Sequence, residues 1–216
     1  MKTDKVKVRL YDLNETLIEE VGRLEYFKKR NIDWVERIWG RKDKRSTHIY
    51  ANGVKEGMLC NQIKVRALDG VKEAFETNKK QGIESWIYTA AREDVLKIVL
   101  KKVGIKADGY FLTYRFGNGK KKTLNGFLKI YTLLSRLDKE LISYCDDGED
   151  KVEVMLKASR VLQKKFGKRV SVYLVNSAAN ALGLSDKGFI VIRNISEIDS
   201  PKTFLDKKVY KPTSIR

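Results

Sequence analysis

A Rossmann-like α/β fold, a parallel sheet with helices on both faces, is what the sequence predicts, on three observations. Short apolar or alternating runs recur along the chain, each followed by a segment with apolar residues at helical spacing, the pattern of strand–helix units laid side by side in a parallel sheet. Gly82, Gly104 and Gly167 stand where the helical segments stop, the position that favours a left-handed residue. The 216 residues suit one full-sized core. The two prolines, Pro201 and Pro212, lie near the C-terminus, so no proline-rich linker divides the body, and residues 1–216 read as a single domain.

The elements follow in order. Lys5 to Tyr11 sets Val6, Val8 and Leu10 against Lys7 and Arg9, the alternation of a strand, and ends in Asp12-Leu13-Asn14-Glu15-Thr16. Residues 18–64 interrupt the pattern and are too long for a simple crossover, so they are expected to form a small insertion or lid after the first strand. Asp69-Gly70-Val71 opens a helix that runs to Gly82. Ile83 to Tyr88 is the second strand, ending in Thr89-Ala90-Ala91, and Glu93 to Val103 the next helix, with Val95, Ile98, Val99 and Val103 at helical spacing. Tyr110 to Thr113 is a short third strand. Thr123 to Leu137 is a helix with Leu124, Phe127, Leu128, Tyr131 and Leu134 inward. Leu141 to Cys145 is the fourth strand, running into Asp146-Asp147-Gly148-Glu149-Asp150, with a helix from about Asp150 to Phe166. Val170–Val175 and Phe189–Ile192 close the sheet. Asn176–Asn180 is a polar loop, and residues 201–216 a loosely packed extension.

Composition narrows the chemistry. Lys and Arg number 45 against 28 Asp and Glu, a net charge of +17, with 34% charged and 42% hydrophobic residues; this is a folded composition. No apolar run approaches the roughly 18 residues of a membrane span, and the Lys-rich start lacks the apolar core of a signal peptide, so a cytoplasmic protein is expected. Cys60 and Cys145 carry no metal or disulfide spacing. A lone His48 rules out paired-histidine chemistry and argues against a Ser/His/Asp triad. Catalysis is left to carboxylates, lysines and hydroxyls.

Those groups gather at strand ends: Asp12, Asn14 and Thr16 after the first strand, Thr89 after the second, Asp146, Asp147 and Asp150 after the fourth. In parallel sheets ligands bind beyond the carboxyl ends of the strands. Carboxylates brought together there repel and call for a hard cation, for which Mg²⁺ suits. Each cluster alone is also what a helix cap or a turn carries.

Taken in order, the clusters resemble the motifs of the haloacid-dehalogenase-like (HAD) hydrolase superfamily over nearly the whole chain outside 18–64, and most of all its magnesium-dependent phosphatase branch. Val8-Arg9-Leu10-Tyr11-Asp12-Leu13-Asn14-Glu15-Thr16 is similar to the first motif, an apolar strand before Asp-x-Asp-x-Thr. Trp86-Ile87-Tyr88-Thr89 matches the second, Lys122 (or Lys120 or Lys121) the third, and Ile142-Ser143-Tyr144-Cys145-Asp146-Asp147 the fourth. The resemblance implies Asp12 as nucleophile and Mg²⁺ ligand. It implies that Thr89 and the adjacent Ala90 hold phosphoryl oxygens and that Lys122 neutralises phosphoryl and aspartate charge. Asp146 or Asp147 would complete the metal shell, with Asp150 reached directly or through water. Such a site turns over a phosphorylated small molecule, protein or nucleic-acid end through an aspartyl-phosphate.

One position departs from the pattern. The family's acid/base aspartate is replaced by Asn14, whose amide exchanges no proton at neutral pH, although its backbone carbonyl still suits Mg²⁺. Glu15, next to it, is the alternative acid, against which stands that neighbouring residues at a strand end usually point in different directions. The alternative from another class is a nucleic-acid-binding protein on the same scaffold with weak or no catalysis, suggested by the insertion. Between residues 21 and 48 nine cations outnumber four acids, interleaved with Tyr26, Phe27, Trp34 and Trp39 and followed by Tyr50, as on surfaces that track phosphates and stack bases. Helical spacing of Phe27, Trp34 and Ile38 points instead to a small core inside the insertion.

Overall fold

The computed structural model of the chain describes residues 5–29, 44–113, 123–176 and 183–199. Lys120, Lys121, Lys122, Trp34, Ile38, Trp39, the side chain of His48, the loop beyond Asn176 and the 201–216 tail lie outside the described residues. The strands are β1 (Val6–Tyr11), β2 (Ile18–Val21), β3 (Lys64–Ala67), β4 (Ile83–Thr89), β5 (Gly109–Leu112), β6 (Lys139–Asp146), β7 (Ser171–Val175), β8 (Gly183–Leu184) and β9 (Ile190–Ile192). The helices are α1 (Arg23–Lys29), α2 (Lys44–Leu59), α3 (Val71–Lys80), α4 (Glu93–Val103), α5 (Leu124–Arg136) and α6 (Glu149–Phe166). Seven strands form one sheet in the order β5-β4-β1-β6-β7-β9-β8. It is parallel except for β8, which pairs antiparallel with β9.

Strand alternation sorts the core into two layers. Val8 and Leu10 of β1 face α5 and α6, packing with Phe127, Ile130, Leu134, Val152 and Met155, while Tyr11 turns to the other face with Val71 and Ala74 of α3 and Val95, Leu96 and Val99 of α4. Buried Asn78 of α3 ties that second layer to the sheet by donating to the Tyr11 hydroxyl and to Ser85 Oγ, each at 2.8 Å. Thr123 caps α5 by accepting from Gly126 N, and Gly104 and Gly167 end α4 and α6 in the left-handed conformation.

The expected fold class is the observed one. Three local features differ. β6 begins at Lys139, two residues before the apolar run, because Lys139 pairs with Glu84 and Glu140 with Lys168 at the strand's mouth. A 3-10 turn, Ile195–Asp199, buries Ile195 and Ile198 against the α3 layer. The insertion leaves and re-enters through an antiparallel pair, β2 with β3, where sequence periodicity had suggested no strands.

Inside the insertion the described aromatics are core. Tyr26 and Phe27 are 2% and 1% exposed, and Phe27 stacks on Tyr50 with ring centroids 5.3 Å apart. A β-carbon on Gly57 of α2 would lie 2.6 Å from Ile63 Cδ1, so that helix approaches its neighbours only because the residue is glycine. These three rings form an interior, not a stacking platform for bases. No helix among the described residues is long and apolar enough to cross a membrane.

Candidate active site

The chain runs from β1 outward to β4 and β5, then returns across the sheet to β6 on the other side of β1. That reversal opens a crevice at the carboxyl ends of β4, β1 and β6. Register then does the positioning: Tyr11 lies opposite both Ile87 and Cys145, so Asp12, Thr89 and Asp146 emerge together at one edge. Asp12 N donates to Cys145 O at 2.8 Å, extending the ladder by one residue and fixing the backbone there.

Asp12, Asp146 and Asp147 each bring a carboxylate oxygen within 4.8 Å of the others. Asp12 is 7% exposed and Asp146 fully buried. Asp146 is held from several sides: Oδ2 accepts a very short bond from the Tyr144 hydroxyl, and Oδ1 accepts from Gly148 N at 2.9 Å and faces Lys151 Nζ at 3.5 Å. Burial, then the charges of Asp146 and Asp12, push Asp147 up to about 6. Burial and then the Asp12 charge push Tyr88 up to about 12. This concentration of negative charge is what a divalent cation relieves.

Thr89 is 4% exposed, and its Oγ1 accepts from Ala91 N at 3.0 Å, a bond that leaves the hydroxyl hydrogen available to an incoming oxygen. Ala90 is exposed next to it. Beyond Asp12 the chain winds through a tight turn, with Leu17 N and Ile18 N both donating to Leu13 O, which buries Thr16 and places exposed Glu15 at φ 59°. Asp150 sits exposed in the first turn of α6, outside the carboxylate trio.

Three site residues escaped the sequence reading. Glu20 of β2 is the carboxylate that stands near Asn14, and Arg23 Nη1 pairs with it at 2.8 Å. Nothing local marks that proximity, which depends on the β2–β3 pairing. Tyr144 stands two residues before Asp146, the spacing that puts both on one side of β6, and this was readable. Lys151 carried a signal too, a cation in a helix's first turn where the dipole disfavours it.

No protein-family profile matches the sequence, and no curated protein matches it. Solved structures do. A HAD phosphatase from Thermococcus onnurineus superimposes with a TM-score of 0.61 at 14% identity, over 88% of this chain and 95% of its own. CbbY from Rhodobacter sphaeroides, in complex with phosphate, gives 0.60 at 11%, over 90% and 96%. An L-2-haloacid dehalogenase from Xanthobacter autotrophicus with chloropropionic acid covalently bound gives 0.54 at 9%, over 81% and 79%. The chain therefore has the fold of the HAD-like hydrolases.

Proposed function

We propose that this chain is a Mg²⁺-dependent phosphomonoesterase that works through an aspartyl-phosphate on Asp12. The observation that carries the reading is the convergence of Asp12, Asp146 and Asp147 at the sheet's switch point beside the buried Thr89 hydroxyl. The phosphatase and the phosphate complex among the structural neighbours support it, as does a HAD-hydrolase-type protein, YfnB from Bacillus subtilis, bound to magnesium. Dehalogenases share the fold, but a trio of carboxylates suits a cation-bridged phosphoryl group better than an uncharged carbon–halogen bond.

The donor set fits Mg²⁺: all-oxygen, clustered, and with Asp147 raised by burial and then by the charges of Asp146 and Asp12. Asp12, Asp146 and Asp147 would hold it, joined by the Asn14 backbone carbonyl and, through water, Asp150. Bound there, Mg²⁺ supplies positive charge to the phosphoryl oxygens and screens the dianion from Asp12.

The chain's own groups do the rest. An Asp12 carboxylate oxygen attacks phosphorus while the bond from phosphorus to the ester oxygen breaks, and the departing oxygen takes a proton from solvent because Asn14 has none to give. Water then attacks phosphorus, the Asp12–phosphorus bond breaks, and inorganic phosphate leaves. The Thr89 hydroxyl and Ala90 N–H donate to the transferring oxygens, and Lys122 adds the charge that the resemblance gives it. Without an acid at position 14, esters whose leaving group tolerates negative charge turn over best. The test is hydrolysis of p-nitrophenyl phosphate with and without Mg²⁺. Turnover that disappears with a chelator is expected, and turnover insensitive to it contradicts the reading.

A further inference from the structure

We propose that Lys151 is a resident phosphoryl-binding cation of this site. The inference rests on the phosphatase reading and adds a residue to it.

Four observations converge. Lys151 is in the first turn of α6, where the helix N-terminus repels a cation, yet its side chain is kept half-buried against Asp146 rather than swung into solvent. Asp146 in turn belongs to the carboxylate trio, whose oxygens lie within 4.8 Å of one another, so the ammonium stands at the edge of the whole cluster. Its contact with Asp146 is slack: 3.5 Å, against 2.6 Å for Lys168 with Glu140 and Lys187 with Glu149. That is its one ion pair among the described residues, and two of its three N–H donors remain for another acceptor. Finally, Gly148 clears the space the ammonium occupies. Its backbone, at φ −89° and ψ 115°, is open to any residue, but a β-carbon there would lie 3.0 Å from Lys151 Nζ, 3.1 Å from Asp150 Oδ1 and 3.2 Å from Lys151 Cε.

Charge supplies the reason for such a group. Three carboxylates, one Mg²⁺ and the Lys122 ammonium sum to zero, and a second fixed ammonium gives the site the net positive charge that draws in a phosphate dianion. Lys151 then donates to a non-bridging phosphoryl oxygen in a charge-assisted bond, with no proton changing hands.

The test measures inorganic phosphate binding to the full chain by calorimetry at saturating Mg²⁺. Lys151→Met is expected to weaken phosphate by about tenfold or more, with KM for p-nitrophenyl phosphate raised in parallel, and Lys151→Arg to recover part of the loss. Gly148→Ala, which crowds the ammonium and Asp150 without straining the backbone, is expected to weaken phosphate by about threefold or more with Mg²⁺ affinity unchanged, the Mg²⁺ titration separating an effect through Asp150; it carries the test if Lys151→Met fails to fold. Wild-type phosphate affinity in Lys151→Met and Gly148→Ala would overturn the proposal, with a lowered melting temperature marking Lys151 as a countercharge to Asp146 only. Loss in Lys122→Met with none in Lys151→Met would likewise overturn it. If the wild-type chain neither binds phosphate with Mg²⁺ nor hydrolyses the ester, the phosphatase reading falls and takes this one with it.

Discussion

Replacing Asn14 by Asp should install the proton donor that the site lacks, and the structure sets how large the effect is. In the native chain Asn14 stands near the Glu20 carboxylate, whose side chain is only 9% exposed and already raised by burial. Asn14→Asp makes a carboxylate pair with Glu20. At about 4 Å and an effective dielectric of about 20, two such charges repel by about 4 kcal/mol, or about 3 pKa units. Arg23, 2.8 Å from Glu20, offsets part of this. The pair should therefore keep one proton to a pH well above the ordinary carboxylate range, as a general acid requires. The assay compares kcat/KM for an alkyl phosphate and for p-nitrophenyl phosphate at saturating Mg²⁺. The alkyl ester should gain about 10²-fold and the aryl ester, whose leaving group needs little protonation, no more than about threefold. Equal gains on both, or none on the alkyl ester, would refute the reasoning.

Two further outcomes follow from the same geometry. In the metal-free chain Asp147 titrates near 6 against an ordinary 3.8. The native state thus holds a proton that the unfolded chain gives up, and stability falls as pH rises from about 4 to about 6, by about 1–2 kcal/mol after discounting for partial exposure. Urea unfolding at several pH values should show that fall in the wild-type chain and lose it in Asp147→Asn; an unchanged slope would disprove the assignment. Phe27→Ala removes a ring packed on Tyr26 and Tyr50 and should cost about 3–4 kcal/mol. Because that cluster is continuous with the α3–α4 layer, the denaturant transition should remain single; a loss under about 1 kcal/mol or a separate early step would contradict it.

The sheet was legible because its buried strands are apolar runs bounded by polar strand ends, and its helices carry both a stripe and a stop. Glu93–Val103 with Gly104 is the plainest case, observed with the bounds its periodicity suggests. Elements that depend on partners were not legible. Ile18-Glu19-Glu20-Val21 has only four residues and two charges, and it becomes a strand because Lys64–Ala67 pairs with it, Glu19 meeting Arg66 across the pair. The carboxylate trio needed only the alternation and order of strands. Lys151 and Glu20 needed the turn of α6 and the β2–β3 pairing, which bring residues to the crevice from outside the motif positions.

The most direct test of the central claim is Mg²⁺-dependent hydrolysis of p-nitrophenyl phosphate by the wild-type chain and by Asp12→Asn, with folding checked by thermal melting. The substitution keeps the side chain's size and removes the nucleophile and a metal ligand together, so turnover should fall by at least about 10³-fold while the protein stays folded. A folded Asp12→Asn chain that hydrolyses the ester at the wild-type rate would contradict the account.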